Sequence, residues 1–391
     1  MIDRNQAILL HLLSCSLFGS AVNLPENVDW DAVLQEAEAQ TVTGLAASAV
    51  PKGISEIWDV AASRCVANFL RILYGQDCLV RLFQDAGIPL VILKGMAAAK
   101  YYPEPSRRMM GDIDFLVPQD QFRQSAELMA SNKYETKVDL QTIIEQGPAP
   151  RHIEFFKDGI EIELHHHFSY YDIDIEIFLI DGMNHAEKVR IGDYSFPVLP
   201  PLEHGILLLA HIRHHLNNSE LGLRHVIDWM MFVYKELDEE TWRERFSKMA
   251  EDAELKELAV SLTRLCRDFI GLPGEYSWCD EADQQTAATL LELVFDRGNF
   301  GRKVENHYNL QNIVAKVRSR GFILFLSQTA RSIWTGQSVQ QRDIITRPFV
   351  FLKEFGILFS SRMKASRGKI VSDLKDGDQL ARLYKELGFK K

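Results

Sequence analysis

Long apolar runs are missing from this chain. The richest, Phe322 to Leu326, is far short of the roughly 20 residues a helix needs to cross a bilayer, which argues against a membrane span. Ala7 to Phe18 is short and apolar, but Asp3 precedes it and no small-residue cleavage site follows, so it does not read as a signal peptide. Cysteine is also scarce. Cys15, Cys65, Cys78, Cys266 and Cys279 form no close pair and no metal-ligand spacing, which fits reduced thiols in a cytoplasm rather than a disulfide framework. Internal repeats and low-complexity segments are absent as well.

What is present is the balance of a globular protein, 46% hydrophobic and 25% charged. At 391 residues the chain is too long for one ordinary core and is expected to form two or three packed units. The net charge of −10 is unevenly spread. From Gly301 onward there are 18 Lys and Arg against 7 Asp and Glu, so the first 300 residues form an acidic body. Nucleic acid is therefore a possible but not a favoured partner, because neutralising phosphate dominates that affinity. The basic end carries no aromatic stacking pattern and reads as a solvated helical face.

Periodicity divides the chain. Gln6–Leu17, Trp30–Ala49 and Ile57–Ala86 have helical spacing, with Asp29 as an N-cap and a break at Pro51-Lys52-Gly53. At Gly87 the texture changes. Ile88–Leu93 reads as a buried strand running into a Lys94-Gly95 turn and a helix, and Asp112–Val117 as a second strand closed by Pro118. An amphipathic helix follows over Gln119–Ser131. Asp158-Gly159, between two alternating segments, is a strong hairpin signal. That turn pairs Phe155 with Ile162 and Ile153 with Leu164 on an apolar face. His152 then meets His165, and Glu154 meets Glu163, on the other face. After Pro197–Pro201 the chain is expected to be helical, with Leu202–Leu216, Gly222–Lys235, Glu239–Met249 and Leu255–Phe269 the clearest segments. The expected fold is α+β: a small mixed β-sheet core over 87–200, N-terminal helices over 1–86, a helical region over 201–300 and a basic helical region over 301–391.

Asp112 and Asp114 are two apart on a strand, so both carboxylates project from one face. Two such charges repel unless neutralised, and a hard divalent cation is a natural partner. Alone, Asp-x-Asp does not separate a metal site from two surface aspartates. Its context does more. Ile113, Phe115 and Val117 bury the opposite side, Glu163 adds a third carboxylate from another strand, and the Lys94-Gly95 turn offers backbone N–H groups where phosphate can rest.

The ordered set VILKG (Val91 to Gly95), RRMMGDIDFLV (Arg107 to Val117) and IELHHHF (Ile162 to Phe168) resembles the uncharacterised nucleotidyltransferase family, within the DNA polymerase beta-like nucleotidyltransferase superfamily. PLEHGILLLAHIRHH (Pro201 to His215) and LRHVIDWMMFV (Leu223 to Val233) extend the likeness to about Leu272-Pro273. The resemblance implies transfer of a nucleoside monophosphate from a nucleoside triphosphate (NTP) to a hydroxyl acceptor, with pyrophosphate released. It implies a two-metal mechanism using Mg²⁺ or Mn²⁺, with Asp112, Asp114 and Glu163 as ligands. On the same grounds Lys94, Gly95 and Arg108 would meet the phosphates, and the Cβ-free Gly95 would allow close backbone approach. Two features depart from the wider superfamily. Lys94-Gly95-Met96 stands where Gly-Ser is usual, and the span from Gly95 to Asp112 is longer.

His165 shares the face of Glu163, suited either to touching phosphate and orienting a metal ligand or to packing beside the site. His204, His211 and His215 fall on one side of a helix, a spacing seen in zinc sites, but no Glu sits between His211 and His215, so a packing role is expected. Arg224 and Asp228, four apart, are expected to pair on a helix surface. The rival readings are a non-catalytic nucleotide-binding protein on the same fold and a zinc hydrolase built on the histidine helix.

Overall fold

The computed structural model describes residues 2–54, 56–140, 152–168, 174–218, 220–303 and 370–389, with Ala315 and Arg318. Most of the basic C-terminal region, including Phe322 to Leu326, lies outside the described residues. The fold is α+β.

The N-terminal helices are α1 (Arg4–Phe18), α2 (Trp30–Ala39), α3 (Thr43–Ala47) and α4 (Glu56–Asp85). Asp29 caps α2, accepting from the Ala32 N–H at 3.1 Å. One long helix expected over Trp30–Ala49 is two. The chain breaks at Gln40–Val42, where Thr41 takes φ 57°. The reason is tertiary: buried Gln40 gives its amide N–H to the Val294 carbonyl at 3.1 Å and accepts the Leu223 N–H at 3.0 Å.

The sheet strands are β1 (Val91–Ile92), β2 (Ile113–Leu116), β3 (His152–Lys157), β4 (Ile160–His165), β5 (Glu187–Ile191) and β6 (Tyr194–Val198). They form one mixed six-stranded sheet in the order β3-β4-β2-β1-β6-β5. The β3–β4 hairpin has the expected register, His152 opposite His165, Glu154 opposite Glu163 and Phe155 opposite Ile162. Asp158 and Gly159 have φ 52° and 71°, both positive as a two-residue hairpin turn of right-handed strands requires. A second hairpin, β5–β6, occupies a stretch for which no strands were expected. Its signal was present in the alternation of Lys188–Phe196 around Gly192-Asp193, with Gly192 at φ 59°.

Short helices α5 (Lys94–Ala99), α6 (Phe122–Ser131) and α7 (Glu176–Asn184) connect the strands. Beyond them come α8 (Pro201–Asn218), α9 (Leu223–Glu236), a helical stretch over 239–252, α10 (Lys256–Leu265), α11 (Gln284–Arg297) and α12 (Ile370–Glu386).

Two apolar cores result, and the sheet separates them. Ile92, Ile113, Phe115, Ile162 and Leu164 pack with α4 and α6 residues such as Phe83 and Met129. Val91, Leu93 and Leu116 join the larger core, where α1–α3 pack with α8–α11. Strand alternation therefore sends the Asp112, Asp114 and Leu116 side of β2 toward the helical body and the Ile113 and Phe115 side toward α4.

α8 and α9 meet closely at Gly205. A Cβ there would overlap the Phe232 and Phe246 rings, which are fully buried and have no room to yield. Gly205→Val is expected to lower stability by about 1–3 kcal/mol through overpacking. Urea denaturation checks this; an unchanged midpoint would mean that the rings can move aside.

Candidate active site

Parallel pairing of β2 with β4 sets Asp114 directly beside Glu163. Asp112, one residue ahead of β2, shares their face. Ligand oxygens of Asp112, Asp114 and Glu163 all lie within 4.8 Å of one another. This convergence needs the β2–β4 register, which joins residues some fifty positions apart.

Among the described residues, Lys94 and His165 bond to this group, and the Arg224 charge acts on Asp112 from the facing wall. Lys94 Nζ is 2.7 Å from Asp114 Oδ1, and His165 Nε2 lies 3.0 Å from Glu163 Oε2 and 3.3 Å from Asp114 Oδ1. Burial raises the Glu163 carboxyl, but the His165 hydrogen bond and the Lys94 charge outweigh it and hold its pKa at about 2. Asp112 moves the other way, raised by burial and by Asp114. Burial lowers the His165 pKa, but its bonds to Asp114 and Glu163 outweigh this and raise it.

Lys94 owes its position to a sharp turn. After Leu93, whose N–H bonds the Asp114 carbonyl at 2.9 Å, Lys94 and Gly95 take φ 24° and 34°. At Gly95 a Cβ would lie 3.2 Å from the end of the flexible Met110 side chain, so it is the positive φ that favours glycine here. The Lys94 ammonium also sits 5.0 Å from the Phe168 ring centre.

A cavity of about 240 Å³ opens on the carboxylates. One wall is the sheet end, with Lys94, Gly95, Asp112, Asp114, Glu163 and His165. The facing wall comes from α8 and α9 and includes His211, His215, Arg224 and His225. His204 is not part of it. It is fully buried, stacked on Tyr101 and hydrogen-bonded to the Tyr101 hydroxyl at 3.0 Å.

Arg108 lines the cavity, but its guanidinium is directed elsewhere. Nε and Nη2 bond both Asp228 oxygens, at 2.7 and 2.6 Å, and Tyr102 donates its hydroxyl to the same carboxylate at 2.6 Å. The side chains of the pair are 5% exposed. The expected Arg224–Asp228 pair on a helix surface is thus corrected: Asp228 is buried in α9 and belongs to Arg108. A charge pair formed across 120 positions leaves no local pattern, so no sequence signal could have shown it.

The chain matches the family described as uncharacterised nucleotidyltransferase over residues 26–271, well over half its length. It belongs to that family. The match spans α2 through α10 and so covers the whole sheet and the two helices of the facing wall, while Phe300, which also lines the cavity, lies beyond it. No curated protein matches the chain. Among the described residues no helix is long and apolar enough to cross a membrane.

The buried pair generates a stability prediction. Asp228→Asn leaves the Arg108 guanidinium buried without its counter-charge and is expected to cost about 3–5 kcal/mol. Thermal unfolding of this variant beside Arg108→Met/Asp228→Leu checks it, the double change recovering much of the loss. A small effect of Asp228→Asn would show that the pair is dispensable.

Proposed function

We propose that the protein transfers a nucleoside monophosphate from an NTP to a hydroxyl acceptor, with Asp112, Asp114 and Glu163 holding Mg²⁺ or Mn²⁺. The observation that carries this reading is the convergence of three carboxylates at one sheet end, in a cavity, in a chain of a nucleotidyltransferase family. The donor set fits a hard dication: all oxygen, closely grouped, and balanced among the described residues by Lys94, His165 and the nearby Arg224 charge. When bound, the metal supplies positive charge to the phosphates and acidity to the attacking hydroxyl.

The chain's own residues set the stage for the step. Lys94 is positioned to leave Asp114 for a phosphate oxygen once Asp114 has another counter-charge. Glu163 stays ionised and is held in orientation by His165. The acceptor oxygen bonds to the α-phosphorus as the bond to the β-phosphate bridge breaks. The hydroxyl proton is released, and pyrophosphate leaves with the electrons of the broken bond. The acidic character of the first 300 residues favours a small-molecule or protein hydroxyl over long nucleic acid.

Thermal stability with each ribonucleoside triphosphate, with and without Mg²⁺, tests the reading. At about 100 times its dissociation constant the donor should add roughly 2.7 kcal/mol, visible as a shift that requires the metal. Asp114→Asn is expected to abolish both that shift and pyrophosphate release while keeping the fold. Full activity in Asp114→Asn would remove the metal role.

Gly95→Val is expected to weaken NTP binding by an order of magnitude or more, because it forces the Lys94 turn out of its left-handed conformation. Titration calorimetry measures this. Equal affinity in both proteins would place the phosphates away from the turn.

A further inference from the structure

Arg224 sits in the first turn of α9, on the cavity wall that faces the carboxylates. Its guanidinium lies over the Phe300 ring, 5.2 Å from the ring centre. The nearest carboxylate on its own helix, Asp228, has both oxygens committed to Arg108 and one also to Tyr102. Among the described residues no carboxylate forms an ion pair with Arg224, and its buried Nε has no hydrogen-bond partner. Burial lowers its pKa, and the nearby charges of Asp228 and Asp112 act against this without pairing with it. A guanidinium withdrawn from water without an ion-pair partner is costly.

The next residue repeats the pattern. His225 is 2% exposed, and its Nδ1 accepts the Gly222 N–H at 3.5 Å. That bond puts the ring proton on Nε2, which is buried and has no partner. Two adjacent residues thus offer unmet donors to the same cavity. The neighbouring imidazoles do not meet them. His211 and His215 face each other, Nε2 to Nε2, at 3.2 Å, and His215 Nδ1 lies 3.3 Å from Glu220.

His211, His215 and His225 hold nitrogens within 4.8 Å of one another, which suggests a transition-metal site. The electrostatics oppose it. Burial is the main cause that lowers the pKa of His215 and His225, and the charges of Lys94 and Arg224 lower both further, a positive potential that would also repel a dication. A wall of unmet donors under positive potential is suited to an anion. A guanidinium fork gives paired N–H groups that match the oxygens of a phosphate.

We infer that Arg224 and His225 form an oxyanion subsite that takes a phosphate group across the cavity from Asp112, Asp114 and Glu163. That phosphate comes either from the triphosphate tail of the donor or from a phosphate carried by the acceptor. The naming of these two sources rests on the nucleotidyl-transfer reading; the subsite itself does not.

The test is titration calorimetry of the full chain with orthophosphate, pyrophosphate and an NTP, alongside thermal unfolding. The proteins are the wild type, Arg224→Gln, Arg224→Lys and His225→Gln. Arg224→Gln is expected to weaken phosphate binding by about 10- to 100-fold, the worth of hydrogen bonds to a charged group. Arg224→Lys should recover only part of it, since an ammonium lacks the fork. Because Arg224→Gln removes a buried charge that no described carboxylate pairs, it should also raise the midpoint of the ligand-free protein by about 2–4 °C. Weaker pyrophosphate and NTP binding assigns the subsite to the donor tail. Weaker orthophosphate binding with unchanged NTP binding assigns it to the acceptor.

Unchanged affinity for all three probes in Arg224→Gln would overturn the inference, as would a wild type that binds none of them. A lowered midpoint in Arg224→Gln would make Arg224 structural, and stoichiometric zinc lost in His225→Gln would make the wall a metal site. Asp112→Asn separates the two proposals: loss of metal-dependent NTP binding with orthophosphate binding intact leaves the subsite standing and tests the carboxylates alone.

Discussion

The ion pair between Arg108 and Asp228 is the constraint on which the cavity depends. Arg108 lies in the long loop that carries the chain from α5 to β2, and Asp228 lies in the interior of α9. With Tyr102 on the same carboxylate, two points of that loop are fastened to one point of the helical body. Asp112 follows Arg108 by four residues, so its place relative to the facing wall is set by this anchor. The pair has a second consequence: by occupying Asp228 it leaves Arg224 with no partner on its own helix. One interaction fixes the geometry of the sheet side and the chemistry of the helical side.

Around that anchor the sheet divides the molecule by simple alternation. Ile113 and Phe115 enter the core under α4, while Asp112, Asp114 and Leu116 turn toward α8 and α9. Glu163 and His165 do the same from β4, and Ile162 and Leu164 oppose them. The polar groups of both strands therefore meet in the gap between two apolar cores, where water is limited and charges interact strongly. Lys94, delivered by a turn with two successive left-handed residues, completes the balance of charge at that end.

Much of this was legible in the residues themselves. The β3–β4 hairpin could be read to the residue, because Asp158-Gly159 determines the turn and the alternation admits only one register. The same-face placement of Asp112 and Asp114 follows from strand geometry, and Asp29 announced the start of α2. The β5–β6 hairpin was equally local but went unread around Gly192-Asp193, β5 being largely exposed and weakly patterned. The break after α2 was not legible, since Gln40 answers to Val294 and Leu223, partners that only folding brings near.

The sequence alone determined the periodic elements, the hairpin register, the two-apart carboxylates and, through the spacing of Lys94-Gly95, Asp112-Ile113-Asp114 and Glu163, the likeness to a family of nucleotidyltransferases. All of these depend on neighbours within a turn or a strand pair, or on the order of short motifs. The tertiary structure decided the rest. It placed Asp114 beside Glu163 by parallel pairing, gave Asp228 to Arg108 rather than to Arg224, set His204 apart from His211 and His215, and turned Arg224 and His225 toward the carboxylates. Each of these outcomes is a competition for one partner among groups far apart in the chain, and only the packing of the sheet against the helices settles which group arrives.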